Sequence, residues 1–410
     1  MKNILIAIRS IFKKGRHNVM KIVSLGIGLA VGLVLIAKVY FEQSYDDFYP
    51  DRDRVYQVWA KYQQNGGELK DYPQTSGGIA PTMQQQIPEI ETVTRYTSFG
   101  DWTFTMTDTK MKYSGRCIIA DSCFFDILPR PMLIGNAKEV LSTPMYVLVS
   151  SRIAKNIGGD VIGKNFTVDN SPGRTMTIGG VFEEVPENSH SRYDVIVSMA
   201  SAGRFMWEGS PTNMLGNDRY ISYVKLHKGV NPLALEEQVH TFVNSYFPPE
   251  EQQKTGFNIG FSFHELDGLH KELPQVKRMT WILSLLAFAL IFTAVMNYIL
   301  IVISSIVNRS KEVAVHKCYG ASENNIHGMM FGEALVHIVL SLILALLLIL
   351  AFRGTVEELL ATSLDSLLLS NGSLVLLGIC ILVFFVSGFM PGSLYARIPV
   401  ASAFRNYREN

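Results

Sequence analysis

The chain has 410 residues, a formal net charge of +1 and 48% hydrophobic residues. A charge balance this close to zero argues against a nucleic-acid partner, which ordinarily needs a basic face. The four cysteines, Cys117, Cys123, Cys318 and Cys380, have no metal-ligand spacing and are too few to staple a domain of this size.

Residues 1–21 place Ile4, Leu5, Ile8, Ile11 and Phe12 at helical spacing, with Lys2, Arg9 and Lys13 off that stripe. The pattern predicts an amphipathic helix on the inner membrane surface. Residues 22–41 are apolar enough, and at ~20 residues long enough, to cross a bilayer. Lys38 is expected to snorkel to the outer interface. Gly28 and Gly32 either admit a neighbouring helix closely or mark a span that merely tolerates glycine. No small-x-small cleavage site follows the apolar core, so a retained helix is expected rather than a signal peptide.

Three further apolar runs, 279–307, 329–352 and 372–391, predict membrane helices, because lipid leaves backbone amides no partner outside the helix. Lys and Arg cluster before the first run, in the 308–328 loop and in the 392–410 tail, whereas the 353–371 loop has only Arg353 against Glu357, Glu358 and Asp365. With four spans, all three basic flanks fall on one side, so both termini are expected in the cytoplasm. Residues 42–276 then form one large extracytoplasmic domain.

That domain reads as α+β. Arg54–Lys61, Ile79–Gln86 and Glu91–Phe99 suggest a strand, a helix ended by Pro88, and a strand. Arg219–His227, Leu233–Tyr246 and Phe257–Phe263 repeat the order. These two β-α-β units, 42–99 and 219–276, are expected to share one α/β layer. Between them, 100–218 reads as a β-rich inserted subdomain with strands near Thr103–Thr107, Met111–Ala120, Tyr146–Ser150, Phe166–Val168, Thr175–Phe182 and Asp194–Ser198.

Several chemical signals fail on inspection. Gly158–Asn165 approaches the phosphate-binding loop, but Asn165 stands where a hydroxyl must reach magnesium, and no strand leads into it. His264-Glu265 is followed by His270 rather than by the helical zinc spacing, and both histidines are expected at the surface. His190, in a polar turn, reads as structural. Cys117 and Cys123 fit either a disulfide or two free thiols. No nucleophile motif is present, and the chain is expected to be no enzyme, with no cofactor or metal of its own.

The informative segment is the cytoplasmic loop, with Arg309, Lys311, Glu312, Val313, Ala314, Val315, His316, Lys317, Gly320, Ala321 and Ser322. Charges alternate along a predicted helix, Gly320 suits the residue after it, and Ser322 can cap the next helix. This loop resembles that of the FtsX-like, MacB-type ABC transporter permeases. Phe331 and Glu333, Ser44–Phe48 with Asp53–Tyr56, Gly179–Phe182, Val185–His190, and Pro399–Arg405 resemble other parts of the same family. His316 departs from the arginine usual there.

The resemblance implies a dimer, with an identical or sister permease, and a separate ATPase that binds ATP and magnesium. It implies that Arg309, Lys311, Glu312 and Lys317 contact that ATPase while Gly320, Ala321 and Ser322 shape the turn. It implies mechanotransmission: the helices pass ATP-driven closure to the external domain, for export or extraction of a peptide, lipoprotein or amphiphilic toxin. A periplasmic adaptor, an outer-membrane channel and membrane lipids are the further partners it suggests. Two other functions remain open on the residues alone. One is an FtsX-like signalling subunit that activates a cell-wall hydrolase; the other is a membrane-anchored receptor or scaffold without an ATPase.

Overall fold

A computed structural model of the protein describes residues 18–169, 171–216, 218–304 and 323–368, with isolated positions 315, 378 and 382. The predicted leader helix, all but Val315 of the 309–322 segment, most of the fourth apolar run and the tail lie outside the described residues. The chain divides into two compact units, one of 1–44 with 274–410 and one of Tyr45–Leu273.

The first helix, α1, covers Asn18–Gln43. The inserted domain begins with β1 (Val55–Gln64), a hairpin strand β2 (Lys70–Tyr72), α2 (Ile79–Gln86) and β3 (Ile90–Met106). β1 opens Val-Tyr-Gln-Val-Trp, β-branched and aromatic residues that fit a pleated, covered surface. Then follow β4 (Lys112–Ala120), β5 (Met132–Ile134), α3 (Ala137–Ser142), β6 (Tyr146–Ser150), α4 (Ser151–Ile157), β7 (Asn165–Val168), β8 (Ser171–Phe182) and β9 (Val195–Ser198). Two side chains start these helices: Asn136 accepts from the Lys138 and Glu139 amides, and Ser150 accepts from that of Ile153. The domain closes with β10 (Ile221–Leu226), α5 (Glu236–Tyr246), α6 (Pro249–Thr255) and β11 (Phe257–Glu265).

All these strands belong to one eleven-stranded sheet, whose path runs β11-β1-β10-β3-β4-β9-β6-β8-β5. Its first four strands are mutually antiparallel neighbours, so β1-α2-β3 and β10-α5-β11 interleave. Ile79, Met83, Phe242 and Val243 from the two helices pack with Val58 and Val224 of the strands in one buried cluster. Further along, Tyr96, Phe124, Phe182, Tyr193 and Tyr223 form an aromatic core. Phe104, Phe166, Met176 and Ile178 form another.

A break at residue 99/100 would separate the two halves. The structure has instead one uninterrupted strand there. β3 runs straight through, pairing β10 before the boundary and β4 along both sides of it. Its register with β4 shifts between Ser98 and Gly100, and Gly100 has φ +74. A bulge bends and re-aims a strand without ending it, which composition alone does not reveal.

Gly158 and Gly159 have φ +75 and +66, and Gly163 has φ +76. They connect α4 to β7, so a helix enters the turn and a strand leaves it. A phosphate loop needs the reverse order, with amides at a helix N-terminus facing the anion.

In the other unit, α1 is joined by α7 (Pro274–Ser304), α8 (Glu323–Ala351), α9 (Arg353–Leu360) and α10 (Leu364–Leu368). Among the described residues, α1 and α7 are each long and apolar enough to cross a membrane; the end of α8 with α9, bent by 72°, makes a third candidate if counted as one span. Leu25, Leu29, Val295, Tyr298, Ile338 and Ile349 share the bundle core.

Candidate functional site

Lipid tails are as apolar as leucine, so helices in a membrane associate through close packing and internal polar contacts. Both occur in the helical unit. A Cβ built on Gly28 would fall 2.2 Å from the Ala294 Cβ, and one on Gly32 would fall 2.4 Å from Ile291 Cγ1. On another side of α1, a Cβ on Gly26 would lie 2.9 Å from Leu344 Cδ2. Ser341 Oγ donates to the Ile22 carbonyl at 3.1 Å, fixing α8 against α1.

Lys38, expected at the lipid interface, is buried within the protein instead. Its Nζ pairs with Glu42 at 2.6 Å, one helical turn on, and donates to Thr362 Oγ1 at 2.9 Å. Burying that ammonium would be costly without compensation, which Glu42 and, from the loop after α9, Thr362 supply. That loop is itself braced: Arg353 pairs with Glu357 at 2.9 Å and with Asp365 at 3.0 Å, and Glu357 accepts from the Leu364 amide.

In the inserted domain, the first and last residues are fastened to one another. Asp47 pairs with Lys271 at 2.8 Å and with Arg52 at 3.3 Å; Asp267 pairs with the same two cations, at 2.8 and 3.2 Å. The Tyr45 and His270 rings stack with centroids 3.4 Å apart. Burial alone would lower the Lys271 pKa, but the hydrogen bonds to Asp267 and Asp47 outweigh it and raise the pKa. The ammonium therefore stays charged.

Asp46 carries this fastening inward. Its carboxylate accepts from the Ser189 hydroxyl and from the His190 amide, each at 3.2 Å, and faces His190 Nδ1 at 2.9 Å. His190 Nε2 meets the Tyr223 hydroxyl at 2.6 Å on β10. Ser191 Oγ donates to the Tyr96 hydroxyl at 2.8 Å on β3. Burial pushes the phenols of both Tyr96 and Tyr223 above their ordinary pKa, so they remain neutral hydrogen-bonding groups. Asp46 has φ +61, a left-handed conformation that aspartate tolerates better than most residues. The arrangement holds backbone segments together; it presents no activated nucleophile.

Of the residues singled out in sequence, Gly28 and Gly32 face α7. Arg309, Lys311, Glu312, Lys317, Gly320, Ala321 and Ser322 lie outside the described residues. Two segments that carry the family resemblance, Ser44–Phe48 and Val185–His190, meet at Asp46. Nothing in the sequence pairs them, because 143 positions separate Asp46 from Ser189 and neither segment has a periodic pattern. His264 is stacked on Trp59 with centroids 4.2 Å apart, and His270 on Tyr45, so neither is simply a surface group. Cys117 and Cys123 are free thiols; burial raises the pKa of both, and Cys123 Sγ donates to the Val93 carbonyl at 3.0 Å.

Two family models match the chain. One describes the MacB-like periplasmic core domain and covers residues 20–242. The other describes the FtsX-like permease C-terminal region and covers residues 284–400. No curated protein matches. Among solved structures, a domain assigned to a permease of Porphyromonas gingivalis is 32% identical, with 53% of this chain and 91% of that chain covered and a TM-score of 0.49. The periplasmic region of MacB from Actinobacillus actinomycetemcomitans is 16% identical, covering 54% and 92%, with a TM-score of 0.34. The extracellular domain of the ABC-type transporter YknZ from Gram-positive bacteria is 10% identical, covering 50% and 98%, with a TM-score of 0.36. The first model alone accounts for more than half of the sequence and the second for most of the remainder, so the chain belongs to the MacB/FtsX-like family of ABC transporter permeases.

Proposed function

We propose that this permease is the membrane subunit of a mechanotransmitting ABC system. The family is an inner-membrane one with a periplasmic domain, and in general it works with an ABC ATPase. In this reading a separate ATPase binds ATP and magnesium below the membrane and engages the 308–328 loop through Arg309, Lys311, Glu312 and Lys317. Four spans then carry its closure upward, in a dimer with an identical or sister chain. The periplasmic domain, built of two β-α-β units and a β-rich extension, changes shape to expel or extract a peptide, lipoprotein or amphiphilic toxin.

The observation that carries this reading is the fastening of the domain's two ends. Asp47, Arg52, Asp267 and Lys271 tie together the segments that continue into α1 and α7. Asp46 ties the first of them, through His190 and Ser191, to Tyr223 and Tyr96 in the sheet. Segments so linked move together, which is what passing a displacement from helices to a folded domain requires. The Lys38–Thr362 hydrogen bond puts the end of α1 and the loop after α9 on one side of the bundle, in keeping with four spans and cytoplasmic termini.

The test is ATP turnover by the complex of this chain with its ATPase in lipid nanodiscs. Glu312→Ala and Gly320→Val are expected to lower the chain's stimulation of turnover about tenfold, as removing a charged or turn-forming contact at an interface does. Unchanged assembly and unchanged turnover in both variants would sink the coupling role. Pull-downs divide transport from signalling: an adaptor or outer-membrane channel supports the first, a cell-wall hydrolase the second.

A further inference from the structure

β11 ends the sheet on one side, with its outer edge paired to no other strand among the described residues. Two backbone hydrogen bonds and the strand register fix which of its residues face inward. The Leu266 amide donates to the Val55 carbonyl, the Asn65 amide donates to the Gly256 carbonyl, and the β1–β11 register pairs Tyr62 with Ile259. Even-numbered positions of β11 therefore bond to β1, and odd-numbered ones direct their N–H and C=O groups to the open edge.

At Ile259 that outward amide is already satisfied, since Gln252 Oε1 accepts from it at 3.2 Å. The α6 side chain stands where the carbonyl of a neighbouring strand would stand. Two and four residues on, the outward amides of Phe261 and Phe263 have no such partner among the described residues. Edge strands are normally blunted by charge, proline or a covering element. Through Phe263 this edge carries no charge and no proline, and the one acidic residue of β11, Glu265, stands at its end.

Beside the open amides lies a groove of about 420 Å³ between β11 and α5. Leu233, Val239, Val243 and Phe261 give it an apolar wall, and Leu233 is 79% exposed. Lys61 and Glu236 stand at its rim. A strand laid along β11 would receive main-chain hydrogen bonds from Phe261 and Phe263, and every second side chain would fall against the wall.

We infer that the β11 edge is a docking site for an extended polypeptide segment with apolar residues at alternate positions, bound by strand addition between β11 and α5. A second copy of β11 fits worse. Antiparallel pairing of two such edges keeps both helical layers on one face of the joined sheet, so each copy's α5 would compete for the groove that the other's strand needs. A segment without its own helix meets no such conflict.

The experiment is hydrogen exchange of the full chain in detergent, resolved to single amides, with and without an acetylated octapeptide of alternating valine and threonine. In the free chain the Phe261 and Phe263 amides are expected to exchange fast and those of Gly260 and Ser262 slowly. Saturating peptide is expected to slow Phe261 and Phe263 by roughly tenfold or more, and Leu233→Asp, an exposed position that leaves folding intact, to weaken peptide binding roughly tenfold. The inference is overturned if peptide leaves both amides unchanged or if Leu233→Asp leaves affinity unchanged. It is overturned equally if the two amides are already protected and lose protection on dilution, since a second copy then covers the edge.

Discussion

The helical unit and the inserted domain solve the same problem, holding charged and polar groups inside a fold, by opposite means. In the helices, close approach comes from missing side chains at Gly26, Gly28 and Gly32, and polar contacts such as Lys38 with Glu42 and Thr362 or Ser341 with Ile22 pin one element to the next. In the domain, large side chains fill the interior around compensated charges such as Arg95 and Asp46, and further ionic groups stand at its rim. Water explains the difference. Only the domain can bury aromatic area at the expense of water contact, so it is built from Tyr, Phe and Trp. The helices sit in a solvent that rewards contact alone.

The largest effect should come from a charge buried among the domain's aromatics. Arg95 pairs with Asp121 at 3.2 Å and donates to the Gly77 and Pro211 carbonyls. Burial raises the Asp121 pKa even with that arginine beside it. Arg95→Ala leaves the carboxyl without its cation and should cost about 3 kcal/mol, read as a shift of the domain's urea transition by tryptophan fluorescence. A cost near zero would mean that the interior tolerates lone charge, erasing the contrast.

Next comes overpacking in the helices. Gly28→Ala pushes a Cβ against the Ala294 Cβ, which cannot turn away, and should cost about 1–3 kcal/mol in thermal stability of the detergent-solubilised chain. Ala294→Gly should restore most of it. Gly32→Ala meets the Ile291 side chain, which has other rotamers, and should cost less. If the two glycines behave alike, close contact with α7 is not what distinguishes them.

The domain's rim should be far softer than its interior. The Asp47 and Asp267 side chains are each 40% exposed, so Lys271→Ala should cost under ~1 kcal/mol, and less as salt is added. Its effect on coupled ATP turnover should exceed its effect on stability, because it loosens the joined ends of the domain.

The smallest effect concerns pH. Burial, with a further push from Lys61, lowers the His264 pKa against the opposing pull of Asp71. A lowered folded-state pKa means that the unfolded chain binds the proton first. The neutral histidine's contribution is thus full above the unfolded value of about 6.5 and fades as pH falls below it. His264→Phe, which keeps a ring on Trp59, should flatten the melting temperature between pH 7 and pH 5.

Periodicity made much of this architecture readable from residues alone. The strands read at Arg54–Lys61, Tyr146–Ser150 and Thr175–Phe182 correspond to β1, β6 and β8, because β-branched and aromatic runs bounded by turns leave little ambiguity. β2 and β5 carry no such signal. Lys70–Tyr72 and Met132–Ile134 are three residues each, and their partners, not their composition, make them strands. The same holds for the fastening at Asp46. An aspartate after a membrane helix and a polar turn around His190 are unremarkable separately, and only the tertiary fold brings them to 2.9 Å. Lys38 departs from the expected interface position because lipid and a distant loop compete for it, and a sequence does not say which is nearer.

β3 has one more consequence. Because its seventeen residues belong to both halves of the sheet, neither half is a cassette. A chimera that transplants the distal strands from a related permease, cut at the bulge by Gly100, would sever a shared beam. To keep the ladder intact such a graft must take the whole of β3, and with it the β10 partner that decides where the strand begins.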